Sequence, residues 1–203
     1  MTKDYTFGYI KKRILDALLE YVTNDKEYLV TDDTETVFDD RFPYVVSSCL
    51  VRMYESLPIG VGECQGDIQK DAEKTFAVLP CDFARLVKIT VSGVDVTNKA
   101  YVSEGRVYFS ARVFEEGEKA HITYKKQPPE ITKDTSDEYI LSLMPLALEA
   151  LVNLSASELC TAGDSDAYTR LVYKYNDLAE GFFSANDRKV SRNGFYRAKE
   201  RGI

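Results

Sequence analysis

The sequence of 203 residues has no tryptophan and a single histidine, His121. One histidine cannot build a metal cluster, and no serine or cysteine close to it in sequence would complete a nucleophilic site. We therefore predict that the chain is not an enzyme and that it has no catalytic residues, no metal site and no cofactor. His121 is expected to be a structural residue in a strand.

Long apolar runs are also missing. No stretch approaches the roughly 20 apolar residues that a membrane span requires, so we expect no membrane contact. Residues 1–5 lack the apolar core of a signal peptide, and we expect the chain to stay in the cytoplasm where it is made. The four cysteines, at positions 49, 64, 81 and 160, form no CxxC pair. A zinc site or disulfide framework is therefore not expected.

Two segments look like ligand loops but lack the residues that such loops need. The acidic run at 32–35 has neither the glycine nor the closing glutamate of a calcium loop. We interpret residues 24–40 as a solvated acidic loop that ends in a helix cap. Residues 60–66 contain three glycines but no Lys-Ser or Lys-Thr ending of a phosphate loop, and we interpret them as a flexible loop.

Charge is distributed unevenly along the chain. The net charge is −7, yet the last twenty residues hold six basic and two acidic side chains. The remaining residues hold 20 basic and 31 acidic side chains, a balance of −11. This acidic body argues against a DNA-binding protein, because it would repel the phosphates.

The basic C-terminal segment, residues 184–203, contains too few apolar residues to fold alone. We predict an extended arm that becomes ordered on a partner. Its expected partner-binding residues are Arg188, Lys189, Arg192, Phe195, Tyr196, Arg197, Lys199 and Arg201. Contact with nucleic-acid phosphates and a disordered, solubilising end remain the alternatives.

Apolar residues recur at helical spacing in four segments. These run from Asp4 to Tyr21, from Asp39 or Asp40 to Leu57, from Pro145 to Leu159 with a stop at Ala162-Gly163, and from Asp164 or Ser165 to Phe182. Between the second and third helices, short β-like segments alternate with turn residues. The predicted strands are 86–91, 101–102, 106–109 and 120–124, with turns at 92–93, 104–105 and 116–117.

This pattern predicts an α+β fold, a helical bundle with an inserted small antiparallel β domain and an extended C-terminal arm. Residues 1–74 would form the N-terminal helices and loops of the bundle, and residues 75–128 the β domain. Residues 129–183 would form the C-terminal helices, and residues 184–203 the basic arm.

Particular motifs within this pattern give a resemblance to a known family. They are Leu79-Pro80-Cys81-Asp82-Phe83 before the strand 87–91, then Tyr124, Pro128-Pro129, Ile131, Asp134 and Asp137-Glu138, and the helices 145–159 and 164–182. On these residues the chain resembles the head-to-tail adaptor (connector) proteins of tailed bacteriophages over residues 79–183. The order of its elements is also similar to that of the tail tube adaptors of short-tailed phages. The acidic loop at 24–40 is longer than expected for the family.

The resemblance implies a structural virion protein, assembled in the host cytoplasm and located at the head–tail junction. Copies would form a homo-oligomeric ring, expected to be twelve-fold, between the portal protein and the downstream tail or neck proteins. The arm would dock on the portal, and DNA would pass through the ring without sequence-specific binding. The residues leave open another neck or tail-completion protein, such as a stopper or tail terminator. A cellular protein-binding module and an enzyme of unknown type are also left open.

Overall fold

The computed structural model describes residues 2–21, 38, 40–71, 74–110, 114–160 and 165–200, with side chains up to residue 183. The predicted acidic loop at 24–40 and the predicted helix stop at 162–163 therefore lie almost wholly outside the described residues. The chain forms two compact units. A helical unit comprises Met1–Pro58 and Pro129–Ile203, and a β unit comprises Ile59–Pro128.

Four helices are described in the helical unit. They are α1 (Phe7–Tyr21), α2 (Phe42–Ser56), α3 (Pro145–Leu159) and α4 (Ser165–Glu200). The predicted apolar face of α1 is confirmed, because Phe7, Ile10, Ile14 and Leu18 are all buried. Pro43 lies in the first turn of α2 and Pro145 begins α3, where a proline loses no helical hydrogen bond.

Helix α3 lies at the centre of this unit and contacts the other three helices. It is buried on nearly all sides because its sequence is apolar or small throughout. Ala150, Ala156 and Ser155 are completely buried and allow neighbouring helices to approach closely. The predicted starts of α3 at Pro145 and of α4 at Ser165 are confirmed.

A two-stranded antiparallel sheet also belongs to the helical unit. It pairs β1 (Lys3–Thr6) with β10 (Ile140–Leu143). The prediction that α1 starts at Asp4 is therefore wrong. The amides of Phe7 and Gly8 donate to the carbonyls of Tyr139 and Asp137, which fixes the start of the helix at Phe7.

The β unit contains two four-stranded antiparallel sheets among the described residues. The first has the order β2 (Val61–Asp67), β9 (Lys119–Lys126), β5 (Phe83–Val91) and β6 (Val94–Asp95). The second has the order β3 (Gln69–Asp71), β4 (Lys74–Val78), β8 (Arg106–Phe109) and β7 (Ala100–Ser103). Ile89 and Ile122 of the first sheet and Ala77 and Val107 of the second belong to one buried core.

The predicted turns at 92–93 and 104–105 are confirmed, because both residues of each pair take the left-handed conformation. Ser92 and Gly93 have φ angles of 48° and 79°, and Glu104 and Gly105 have φ angles of 50° and 69°. Two consecutive left-handed residues match the twist of a tight hairpin, and glycine adopts this conformation without strain. The predicted strands at 86–91, 101–102, 106–109 and 120–124 all lie within described strands.

The predicted fold class is wrong, because the described structure is 44% helical and 32% strand with three antiparallel sheets of two to four strands. A helical bundle with a small β insertion would hold far less sheet. Residues 60–66, interpreted as a flexible loop, are largely β2, which pairs with β9 from Val61 to Asp67. Several of the missed strands are short, and β1 and β2 pair with strands distant in sequence, so periodicity alone gave little signal for them.

The prediction of an extended C-terminal arm is also wrong for the backbone, because α4 continues to Glu200. A segment that cannot nucleate a helix alone can still continue one, since each added residue gains a backbone hydrogen bond. Residues 184–200 contain no proline to stop this extension.

Candidate interaction surfaces

The motif Leu79-Pro80-Cys81-Asp82-Phe83 forms the turn between β4 and β5 and fastens it to β9. The Asp82 carboxylate accepts a hydrogen bond of 2.8 Å from the Tyr124 hydroxyl and lies 3.0 Å from the Lys126 ammonium. The Asp82 carbonyl accepts a hydrogen bond from the Gln127 amide. The hydrogen bonds from Lys126 and Tyr124 lower the pKa of the Asp82 carboxyl group, because they favour its ionised form. The ionised carboxylate therefore holds the turn against β9.

Tyr124 is the central residue of this fastening. Its side chain is buried, and its ring stacks on Phe83 with centroids 5.8 Å apart. Burial and the hydrogen bond to Asp82 raise the pKa of Tyr124 to about 12. Gly62 on β2 lies against the ring, because a Cβ on Gly62 would be 2.6 Å from the Tyr124 Cζ. The motif therefore has a structural role in the β unit.

His121 lies on the exposed face of β9, opposite Gln65 of β2. Its Nε2 lies 3.4 Å from the Gln65 Nε2. The two residues line a shallow depression of about 280 Å³, together with Glu63, Cys64, Ile122 and Thr123. No group of three or more His, Cys, Asp or Glu side chains able to hold a metal occurs among the described residues.

None of the four cysteines forms a disulfide. Burial raises the pKa of Cys49 to about 11, and burial also raises the pKa of Cys64. A nucleophilic cysteine needs a lowered pKa, and these two are shifted in the opposite direction. Cys49 is completely buried in the helical unit, where it acts as a small apolar residue.

A row of aromatic rings crosses the second sheet of the β unit. Phe76, Tyr108 and Tyr101 are paired across β4, β8 and β7, with ring centroids 5.8 Å and 5.3 Å apart. The Arg106 guanidinium lies over the Phe76 ring at 4.4 Å, and the Lys74 ammonium lies 5.7 Å from the Tyr108 ring. We call these five residues the aromatic face. It extends to the edge strand β7, where Tyr101 is 46% exposed.

Sequence reasoning did not identify the aromatic face. One aromatic residue per strand gives no signal until the pairing register places the rings side by side. The fourteen tyrosines of the chain did suggest contact surfaces, and several large apolar side chains of the helical unit are exposed. Tyr44 on α2 and Tyr173 on α4 are among the most exposed of these.

The segment after Pro128-Pro129 presents a preformed acidic surface. Ile131 is buried and anchors the segment, and the Thr135 amide donates to the Thr132 carbonyl to close a turn. Glu130, Asp134, Asp137 and Glu138 are all exposed. The Asp137 carboxylate lies 2.7 Å from the Lys11 ammonium, next to the N-terminus of α1, where negative charge is favourable.

The predicted partner-binding residues of the C-terminal segment lie at the end of α4. Arg188, Lys189, Arg192, Phe195, Tyr196, Arg197 and Lys199 fall within the helical backbone, and their side chains are outside the described part. Arg201 lies beyond the described residues. The structure therefore gives the backbone conformation of most of this segment and no contact of its side chains.

Comparison with known proteins leaves the family open. No protein-family model matches the sequence, and a search of curated proteins finds no match. Within the described residues, no helix is both long enough and apolar enough to span a membrane.

Proposed function

We propose that this chain is a structural subunit of a phage head–tail connector ring. The observation that supports this proposal most is the placement of the β unit between α2 and α3, followed by a helix that continues into the basic segment. The order of helices, β unit and helices is the one for which the chain resembles the tail tube adaptors of short-tailed phages, although the helical backbone of residues 184–200 differs from the extended arm expected from that resemblance.

The positions of the resembling motifs are consistent with a structural role. Asp82 and Tyr124 fasten strands in the β unit, and Asp137 lies at the start of α1 in the helical unit. Asp82, Tyr124 and Asp137 each contact an element distant in sequence and contribute to the fold. Such residues suit a protein that acts through the shape of its surfaces.

A ring subunit needs two different surfaces that fit each other, because a heterologous contact repeated by rotation closes a ring. The chain offers exposed residues of different chemistry, including Tyr101 at the edge of the aromatic face and the carboxylates of the acidic segment 130–138. Exposed tyrosines supply contact area with a polar tip, as is common at interfaces. These surfaces support assembly into the proposed homo-oligomeric ring.

The proposed partners are the portal protein and the downstream tail or neck proteins. The basic segment 184–203 is proposed to dock on the portal. DNA would pass through the ring without sequence-specific binding, since the acidic body repels phosphates and no phosphate contact must be broken as it slides. In this proposal the chain works in the virion neck after assembly in the host cytoplasm.

The first test is the copy number of this chain in virus particles. Particles produced from the natural genome would be purified, and the chain would be quantified against the portal protein by mass spectrometry. We expect equal copies of the two proteins. A large excess would indicate a capsid or tail-tube subunit, and absence from the particles would overturn the proposal in favour of a cellular binding module.

A further inference from the structure

Charge is segregated among three parts of the chain. Residues 1–58 and 129–183 of the helical unit contain 10 basic and 21 acidic side chains, a balance of −11. The β unit, Ile59–Pro128, contains ten of each and is neutral. Residues 184–203 carry six basic and two acidic side chains, a balance of +4. The acidic excess and the basic segment therefore belong to the same structural unit.

The acidic excess includes a surface with exposed apolar residues beside it. We define the acidic surface as Glu130, Asp134, Asp137, Glu138, Tyr139 and Ile140. Tyr139 is 39% exposed and Ile140 is 59% exposed. Residues 130–138 contain four acidic residues and one basic residue, Lys133. A charged rim next to exposed apolar area is typical of a protein contact.

The backbone of the acidic surface is fixed before any partner binds. The carbonyls of Asp137 and Tyr139 accept hydrogen bonds of 2.9 Å and 2.8 Å from Gly8 and Phe7 at the start of α1. Ile140 pairs with Thr6 in the two-stranded sheet. A preformed surface loses little conformational entropy on binding, which favours docking.

The basic segment continues helix α4 beyond Gly181, which lies beside the start of α3. Leu146, the second residue of α3, lies beside Gly181 of α4, because a Cβ on Gly181 would be 3.7 Å from the Leu146 Cδ2. Helix α4 continues from there to Glu200. At 1.5 Å per residue, residues 184–200 extend the helix by about 25 Å beyond the start of α3.

We propose that residues 184–203 of one copy dock on the acidic surface of a second copy. The charges are opposite, and the segment carries Phe195 and Tyr196 to meet the exposed Tyr139 and Ile140. One copy supplies the segment and the next supplies the surface, so the contact is heterologous and can close a ring. The inference rests on the proposed function, which supplies the ring, and it identifies the contact between neighbouring subunits. A helix has more than one side, so docking on a neighbour leaves a side for the portal.

The test is sedimentation of the purified full-length chain over a range of concentrations. A segment variant combines Arg188→Glu, Lys189→Glu and Arg192→Glu, and a surface variant combines Asp134→Lys and Glu138→Lys. Asp137 is left unchanged because its ion pair with Lys11 supports the fold. We expect the wild type to self-associate, and each variant alone to associate at least about tenfold more weakly, because the reversed charges repel each other across the contact.

Mixing the two variants provides the decisive comparison. The acidic segment of the first variant complements the basic surface of the second, and the basic segment of the second complements the acidic surface of the first. The mixture should therefore associate again. A control variant with Glu20→Lys and Glu55→Lys makes the same charge change at exposed positions elsewhere on the helical unit, and it should associate like the wild type.

Three results would overturn the inference. They are a wild type that stays monomeric, a mixture that fails to associate, and a control variant that weakens association as much as the surface variant does. A segment that docks within its own chain would give the first result, with variants that alter thermal stability and leave sedimentation unchanged. Failure of the connector function would appear separately, as absence of the chain from virus particles despite self-association in solution.

Discussion

At the scale of single residues, the β unit depends on one close contact between β2 and β9. Gly62 faces Tyr124 directly, and the missing side chain of the glycine provides the space that the tyrosine ring occupies. Tyr124 in turn reaches Asp82 on the β4–β5 turn. A strand, a turn and a second strand thus meet at one buried ring.

Substitution of Gly62 tests this contact. In Gly62→Ala the new Cβ would lie 2.6 Å from a ring carbon of Tyr124 and 2.9 Å from the Lys126 Cε. The ring is buried and cannot move away freely, so we expect a loss of about 1–3 kcal/mol of stability. Chemical denaturation would measure it. Gly66→Ala on the same strand is the control, because its Cβ would lie 3.5 Å from the nearest atom, an ordinary contact distance.

Removal of the Tyr124 hydroxyl tests the hydrogen bond to Asp82. Tyr124→Phe should lower stability at pH 7 by about 1–2 kcal/mol, since the bond stabilises an ionised carboxylate. The pKa of Asp82 is lowered in the folded state, so this contribution is present at neutral pH and is lost as pH falls through the folded pKa. The pKa of Tyr124 is raised to about 12, so the contribution is full below about 10 and is lost as pH rises through 12.

Stability measured from pH 2 to pH 9 would check the acid side of this prediction. The difference between wild type and Tyr124→Phe should be constant near neutral pH and should shrink at the acid end. A difference that is independent of pH would show that the hydroxyl contributes by packing alone.

At the scale of elements, helical spacing located the helices because α1 and α2 each bury one apolar face and α3 is apolar or small throughout. The apolar stripe predicted on α4 is only partly buried, with Leu171 fully buried and Tyr168 half exposed. Burial differs along this stripe because only some of its residues pack against α3 and α1. The spacing of apolar residues alone cannot show which residues of the stripe are buried by neighbouring helices.

A pair of substitutions on α4 separates the buried and exposed positions. Leu171→Asp places a charge at a position with 0% exposure, and we expect it to unfold the helical unit, since an unpaired buried charge costs several kcal/mol. Tyr173→Asp, two residues away and 67% exposed, should change stability by less than about 0.5 kcal/mol. Thermal unfolding followed by circular dichroism would measure both. A stable Leu171→Asp variant would mean that this face of α4 does not form the core.

Strands β1 and β2, which the sequence did not predict, depend on contacts with residues distant in sequence. Strand β1 has four residues and pairs with β10, more than a hundred positions away, so its strand character arises from that pairing. Strand β2 contains two glycines, which normally disfavour strands, and is stabilised because Gly62 accommodates the Tyr124 ring. In contrast, the turns at Ser92-Gly93 and Glu104-Gly105 were predictable because their backbone conformation is local.

The candidate surfaces also divide into features that the sequence shows directly and features that depend on long-range pairing. The charge asymmetry of the C-terminal segment is visible in the sequence, because it depends on composition alone. The aromatic face and the acidic surface depend on strand register and on backbone bonds between Asp137, Tyr139 and α1, which only the folded chain provides. Sequence reasoning therefore identified the basic segment and missed the surfaces.

At the scale of the whole molecule, Phe182 is the last buried residue among the described side chains of α4. The helical backbone continues to Glu200, and the basic composition of residues 184–203 leads us to expect that this segment contacts a partner and adds little to the core. Deletion of residues 184–203 should therefore leave both units folded, with a change in melting temperature of less than about 2 °C. Circular dichroism of the truncated chain would measure this.

The truncation should also abolish self-association and weaken docking to the portal, because it removes six cations and both aromatic rings of the segment. A truncated chain that unfolds would instead place the segment in the core of the helical unit.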